Sequence, residues 1–348
     1  MRRLALGVLC MLAVLMVAVW GSWVMVQARV AQPFGGDAEV AVTLSPGLSS
    51  SAIASRLADV GVVPDAWTFR AAVWRSGAGR RLKAGPYRFR TPLSPLQVVD
   101  LLVRGEVDLV HVTFPEGLTL REMAAVAEAH GYGPARTFLA AASERALIDR
   151  IDPGATSLEG YLFPDTYALR RDASPRDLVQ AMAARGAQVL SPALRARAAS
   201  RGWSLRQWVT LASVVEKETA RPDERPIVAA VYANRLRVGM PLQCDPTVVY
   251  ALQRAGRWDG NIRKGDLAID SPYNTYRFPG LPPGPIAAPG LGALEAAAAP
   301  ADVPYLYFVS RNDGTHAFAK TLAEHNRNVQ QWQVAYFRAQ RRAAGATR

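Results

Sequence analysis

The sequence predicts an α+β protein: an N-terminal transmembrane helix, a small α+β module, then a larger domain mixing helices with short strands. Three observations carry this. Leu4–Val26 is an uncharged apolar run of 23 residues. VTLSPGLS (42–49) and VTFPEGLT (112–119) repeat one strand-turn-helix signal. From about Ser157 onward, helical periodicities alternate with aromatic and proline-rich turns.

At about 1.5 Å per residue, the apolar run can cross a hydrocarbon core about 30 Å thick. A signal peptide usually has a shorter apolar region and a small-residue cleavage pattern. Here Gln27-Ala28-Arg29-Val30 follows, so an uncleaved anchor is expected over residues 1–30. Arg2 and Arg3 favour an inside N-terminus, with Arg29 opposing them.

The chain has 348 residues, half of them hydrophobic, and a net charge of +12. Its length allows more than one domain. The basic balance suits anionic partners, such as acidic lipid or wall polymer. No aromatic-basic nucleic-acid motif appears, so DNA and RNA are not expected partners. Cys10 and Cys244 lie too far apart to suggest a disulfide framework. Four scattered histidines suggest no metal site, and no cofactor motif is present.

Residues 31–38, with Pro33, Gly35 and Gly36, read as a linker. Residues 39–108 form the first module. Ser49 should cap a helix over 50–60, Gly61 should end it, and further helices are expected near 65–75 and 94–103. AGPYRF (84–89) alternates as a strand. The second repeat copy opens the larger domain over 109–150. Thr119 and Glu122 form a capping box there, and Gly131 stands past the helix end. Later helices are expected over 175–189, 204–219 and 223–236. Asp245-Pro246 reads as an N-cap with a first-turn proline. YLYFV (305–309) reads as a buried strand, His316–Ala319 as its return, and Thr321 with Glu324 as the final capping box. The domain runs to 340, and 341–348 is a basic tail.

LASVVEKETARP (211–222) carries the chemical question. Ser204 and Gln207 should cap this helix at its start. Leu205, Trp208, Leu211, Ala212 and Val215 form its apolar stripe, flanked about equally by Glu216 and Glu218. Val214, Val215 and Leu211 line the side of Glu218, whereas small Ala212 and Ser213 back Glu216 and tolerate water. Apolar neighbours and the negative helix end should both raise the pKa of Glu218, as a general acid requires. An EKE triplet at a helix end is ordinarily a solvated cluster, and the stretch alone leaves both readings open.

Five ordered blocks then decide: EGYLFPDTY (159–167), LASVVEKET (211–219), NRLRVGMPLQCDPTVVYAL (234–252), SPYNTYRFPGLPPGPI (271–286) and YLYFV (305–309). They resemble the MltG/YceG-like endolytic murein transglycosylases. The resemblance implies a LysM-like module at 39–108 and a mixed α/β catalytic domain at 109–340, on a single-pass inner-membrane anchor with the body outside. It implies cleavage of the MurNAc-GlcNAc bond of glycan strands to give 1,6-anhydro ends, without cofactor or metal. Penicillin-binding proteins and other wall-synthesis proteins are the implied partners. The family's catalytic glutamate maps onto Glu218.

Gln243, Tyr273, Asn274, Tyr276 and Glu159 are candidate substrate contacts; turn architecture is the alternative for Asn274 and the tyrosines. Asp165 can orient substrate or cap a turn. His316 and His325 read as structural or surface histidines. Cys244 stands where many relatives have a small hydroxyl residue, and a free thiol there invites oxidation. Two other functions stay open: a hydrolytic muramidase pairing Glu218 with Asp245, Glu216 or Glu159, and a non-enzymatic glycan-binding scaffold.

Overall fold

The computed structural model describes residues 2–105 and 108–346, the side chains of residues 2–10, 339 and 343–346 apart. The charges of Arg2 and Arg3, the Cys10 thiol and the end of the basic tail lie outside the described residues. The fold is mixed α and β with an N-terminal apolar helix, as expected. Contacts divide the chain into two compact units, Met1–Val110 with Ala168–Asp172, and His111–Tyr167 with Ala173–Arg348.

In the first unit, α1 (Arg2–Ala31) is the apolar helix. Its segment Met11–Ala31 meets the length and hydropathy of a membrane span, a test that signal sequences also pass. β1 (Phe34–Leu44) starts inside the expected linker, so most of 31–38 is strand. β1 pairs antiparallel with β2 (Gly85–Leu93), placing Val40 opposite Phe89 and Val42 opposite Tyr87. On this ribbon pack α2 (Ser50–Asp59), α3 (Ala66–Ser76) and α4 (Pro95–Arg104). Ser49, Asp65 and Ser94 each accept a hydrogen bond from the backbone N–H three residues on, fixing the three helix starts. Leu44, Leu57, Phe69, Phe89, Val98 and Leu102 form the core, and Val30 of α1 joins it.

β3 (Leu109–Thr113) pairs with β4 (Thr166–Arg170) in a separate two-stranded ribbon. The second repeat copy folds like the first. Thr119 and Glu122 complete a capping box at the start of α5 (Leu120–Ala129). Gly61 and Gly131 are both left-handed, with φ of 76° and 83°. Each helix end closes the same way: Gly61 and Val62 donate to Ala58 and Leu57, and Gly131 and Tyr132 to Glu128 and Ala127. This double bond pattern is the glycine-terminated helix end.

The second unit continues with α6 (Ala135–Ala141), α7 (Arg145–Ile148), α8 (Pro175–Val189) and α9 (Pro192–Ala199). α10 (Leu205–Glu218) lies at its centre, against α9, α11 (Arg225–Arg237), α12 (Asp245–Arg254) and α13 (Leu291–Ala298). Every residue from Trp208 to Val215 is buried, so in the middle of the helix the expected stripe widens to all its faces. Trp208 Nε1 donates to the Leu294 carbonyl at 2.8 Å and locks α10 to α13. β5 (Tyr307–Ser310) and β6 (His316–Ala319) form the last ribbon, followed by α14 (Leu322–Val329), a π-helical turn and α15 (Tyr336–Ala346). β5 is half-buried along its length, not buried as expected, and belongs to a ribbon of two strands. Asp245 is the first residue of α12 rather than its cap; Cys244 precedes the helix and its side chain makes no capping bond.

Candidate active site

The EKE triplet divides its work. Glu216 Oε2 accepts the Gly290 N–H at 3.0 Å, and Lys217 Nζ donates to the Gly117 carbonyl at 3.1 Å. These two residues tie the end of α10 to the loop before α13 and to the turn of the repeat. The Glu216 side chain is only 7% exposed, which corrects the expectation of a watered position. Lost hydration raises its pKa, with the Gly290 N–H and Arg225 opposing.

Glu218 ends α10, because Thr219 turns extended and Pro222 follows. Its Oε1 accepts the Tyr232 hydroxyl at 2.5 Å and the Cys244 thiol at 3.0 Å. Tyr232 comes from α11 and Cys244 from the turn before α12, so three elements converge on one carboxyl oxygen. Protein packs closely round the carboxyl, and desolvation raises its pKa. The two donated hydrogen bonds oppose that rise, Asp245 adds to it, and His316 lowers it. The residue is half-buried and so still reaches the surface. A carboxyl whose protonated form persists above the ordinary carboxylate range has the property that general acid catalysis needs.

The surroundings are held by polar pins. Cys244 N–H donates to Thr275 Oγ1 at 3.0 Å, and the Thr247 and Thr275 hydroxyls meet at 2.9 Å. Arg235, buried on α11, donates to the carbonyls of Leu242 and Leu306, both at 2.6 Å. Asn234 reaches the Val303 and Tyr305 carbonyls. These contacts fasten the turn carrying Cys244 and the strand β5 to the helix that carries Tyr232.

The expected substrate contacts separate into groups. Tyr276 is half-buried and donates to Asp245 Oδ1 at 2.6 Å, within the electrostatic reach of Glu218. Gln243 is exposed beside Cys244, with a left-handed φ of 49° and its N–H on the Thr275 carbonyl. Asn274 is fully buried. Its amide donates to the Leu267 and Ile269 carbonyls, and its oxygen accepts the Tyr276 N–H. Asn274 therefore shapes the loop that presents Tyr276, the turn role rather than the sugar-facing one.

Glu159 and Tyr273 belong to another cluster. Glu159 accepts the Leu120 N–H at 2.9 Å and the Tyr250 hydroxyl at 3.0 Å. Burial pushes its pKa up to about 7. Tyr250 and Tyr273 pack with ring centroids 4.9 Å apart, under the Arg254 guanidinium. A cavity of about 490 Å³ opens beside Glu159, Tyr250, Arg254 and Trp258. A larger one, about 960 Å³, lies at the opposite end of α10, against Trp203, Arg206, Thr210 and Pro282. Asp165 accepts its neighbour Thr166 N–H and pairs with Arg185 at 2.9 Å, a turn role.

The residues here that sequence reasoning did not single out are Tyr232 and Glu224. His316 Nδ1 lies 2.6 Å from Glu224 Oε2, and its ring meets Phe308 edge-on. The histidine is thus held in place by Glu224 and by ring packing, in keeping with the structural part expected of it, and it is one of the groups that lower the pKa of Glu218. His325 stacks on Tyr307, and burial with Arg235 lowers its pKa, which fits a packing role. Cys244 is 1% exposed and burial raises its thiol pKa, so the expected ease of oxidation does not hold. Among the described residues no cluster of metal-ligating side chains occurs.

At the end of α10 a desolvated carboxyl thus takes hydrogen bonds from a tyrosine and a thiol, near the loop that carries Tyr276. The chain matches the YceG-like family over residues 42–331, and it belongs to that family. It is 33% identical over 315 residues to an endolytic murein transglycosylase of Bacillus subtilis, covering 85% of this chain and 86% of that one. It is 33% identical over 280 residues to a Streptococcus pneumoniae protein of the same description, covering 71% of this chain and half of the pneumococcal one. A crystal structure of a YceG-like protein from Listeria monocytogenes superposes with a TM-score of 0.58 at 31% identity, covering 84% of this chain and 99% of that one.

Proposed function

We propose that this protein is an endolytic peptidoglycan lytic transglycosylase in which Glu218 is the single catalytic acid and base. The protonated Glu218 gives its proton to the glycosidic oxygen as the bond from the MurNAc anomeric carbon breaks. The resulting carboxylate then takes the proton of the C6 hydroxyl as that oxygen closes on the same carbon, leaving a 1,6-anhydro end. Proton and electron pair balance without water or a second carboxylate.

The observation that carries this reading is the environment of Glu218: desolvation favours its protonated form, while the Tyr232 and Cys244 donors can steady the carboxylate formed midway. Tyr276 and Gln243, at the surface beside it, are the proposed sugar contacts. Glu216 and Glu159 each hold a backbone N–H, which speaks against either as the second carboxylate of a hydrolase. We further assign α1 as the anchor that holds the protein in the cytoplasmic membrane, and residues 39–108 as a LysM-like glycan-positioning module.

Product analysis tests the proposal. Wild type acting on uncrosslinked nascent strands should yield anhydro ends, and Glu218→Gln should yield none above background. Reducing ends in place of anhydro ends would make the enzyme a muramidase. Binding without cleavage by wild type and variant alike would make it a scaffold.

A further inference from the structure

In the first unit, α3 runs down the side of α1. Its N-cap Asp65 pairs with Arg29 at 3.3 Å, and near its other end the Trp74 ring meets Trp23 edge-on, centroids 6.1 Å apart. Trp23 lies three residues before the end of the apolar run, about 4.5 Å inside it along the helix axis. The last turn of α3 therefore stands beside the outer end of the apolar run.

That end of the unit has the chemistry of a membrane interface. Trp67, Arg70 and Trp74 follow at helical spacing along α3 and are exposed, the two tryptophans 56% and 73%. Arg75 and, beyond the left-handed Gly77, Arg80, Arg81 and Lys83 are exposed as well. No carboxylate occurs in the sequence between Asp65 and Asp100. Tryptophan prefers the headgroup level of a bilayer, and arginine near an anionic leaflet is attracted to lipid phosphates.

We propose that the end of α3 and the turn at 77–81 rest on the anionic phospholipid headgroups of the membrane that holds α1. Trp74 beds into the interface beside Trp23, while Arg75, Arg80 and Arg81 meet phosphates. The first unit then sits at a fixed height on the leaflet. This inference rests on the assignment of α1 as an anchor.

A nitroxide at Gly79→Cys tests it in the full chain. An added side chain there meets nothing closer than Val73 Cγ1 at 3.9 Å. Cys10→Ser removes the rival thiol in the span, and Cys244 is buried. In vesicles of phosphatidylethanolamine and phosphatidylglycerol, the label should be shielded from a water-borne nickel chelate. Arg80→Gln and Arg81→Gln should each lower the docked-to-undocked ratio about fivefold, and Trp74→Ala should lower it further. Equal nickel access in wild type and variants, with the chain still resisting alkaline carbonate, overturns docking but leaves the anchor. Release by carbonate overturns the anchor, and docking with it. Shielding that rises with protein-to-lipid ratio means a second copy covers this face, and also overturns the proposal.

Discussion

Glu224 grips His316 at two points. Its Oε1 accepts the His316 backbone N–H at 2.9 Å and its Oε2 lies 2.6 Å from the ring Nδ1. Both side chains are largely buried, so the imidazole is held in one orientation. His316 acts on Glu218 to lower its pKa. Replacing it by Asn removes that influence, so the alkaline limb of the kcat/KM profile should move to higher pH. A purely structural histidine would lower activity at all pH values and leave the limb in place. Glu224→Ala, which strands the ring nitrogen and the N–H, should cost about 1–3 kcal/mol in denaturant melts.

On the proposed mechanism Glu218 is the acid of this profile. Its pKa is raised, so the active protonated form survives above the ordinary carboxylate range and is lost as pH climbs through the folded value. Glu218→Gln should reduce turnover by about 10²–10⁴-fold with the fold intact by circular dichroism.

Cys244 sets where that limb falls. Its thiol is a weak donor to Glu218 Oε1 at 3.0 Å. Cys244→Ser supplies a stronger donor to the ionised form and should move the alkaline limb down. Cys244→Ala removes the donor and should move it up. Opposite shifts from two small substitutions at one buried position would be hard to obtain from packing alone. Native protein should also resist N-ethylmaleimide at this residue, because the thiol is buried and its pKa is raised.

The close fit of the EGYLFP segment is testable through Gly186 on α8. A Cβ there would lie 2.3 Å from the Tyr161 carbonyl oxygen, a backbone atom that cannot swing aside. Gly186→Ala should therefore destabilise by about 1–3 kcal/mol despite the better helix propensity of alanine, read from the urea midpoint at unchanged slope.

What the sequence disclosed follows from how local each cause is. Caps and glycine ends are set within a few residues, so Thr119 with Glu122 and Gly61 with Gly131 were legible. The lean of Glu218 toward an apolar flank was legible too, since Leu211, Val214 and Val215 lie on the same helix. Its partners were not: Tyr232 is 14 residues away and Cys244 is 26 away. The Glu224–His316 pair spans 92 residues. Nothing in local spacing says that Glu216 meets Gly290, which is why it reads as a watered residue from sequence and is buried in the fold. Asn274 misleads for the opposite reason, since an amide suits both a sugar and a turn. The turn wins because two carbonyls, Leu267 and Ile269, point inward and need donors.

Glu159 gives the protein a pH-dependent term separate from catalysis. Its folded pKa is about 7 against 4.5 for the free side chain, because burial penalises the charge more than the Leu120 N–H and the Tyr250 hydroxyl favour it. The sign follows from linkage: below pH 4.5 the carboxyl is neutral in both states and its contribution to stability is intact. Between 4.5 and about 7 the unfolded chain releases the proton while the folded one keeps it, so stability falls as pH rises through that window. The loss totals about 3 kcal/mol. Glu159→Gln keeps an acceptor for the Leu120 N–H, lets the Tyr250 hydroxyl turn to accept from the amide, and has no proton to lose. Wild type and variant should melt alike at pH 4.5, and the variant should be the more stable of the two by pH 8. Parallel melting curves across that range would place the Glu159 carboxylate in contact with water and remove the cavity beside it from the buried network.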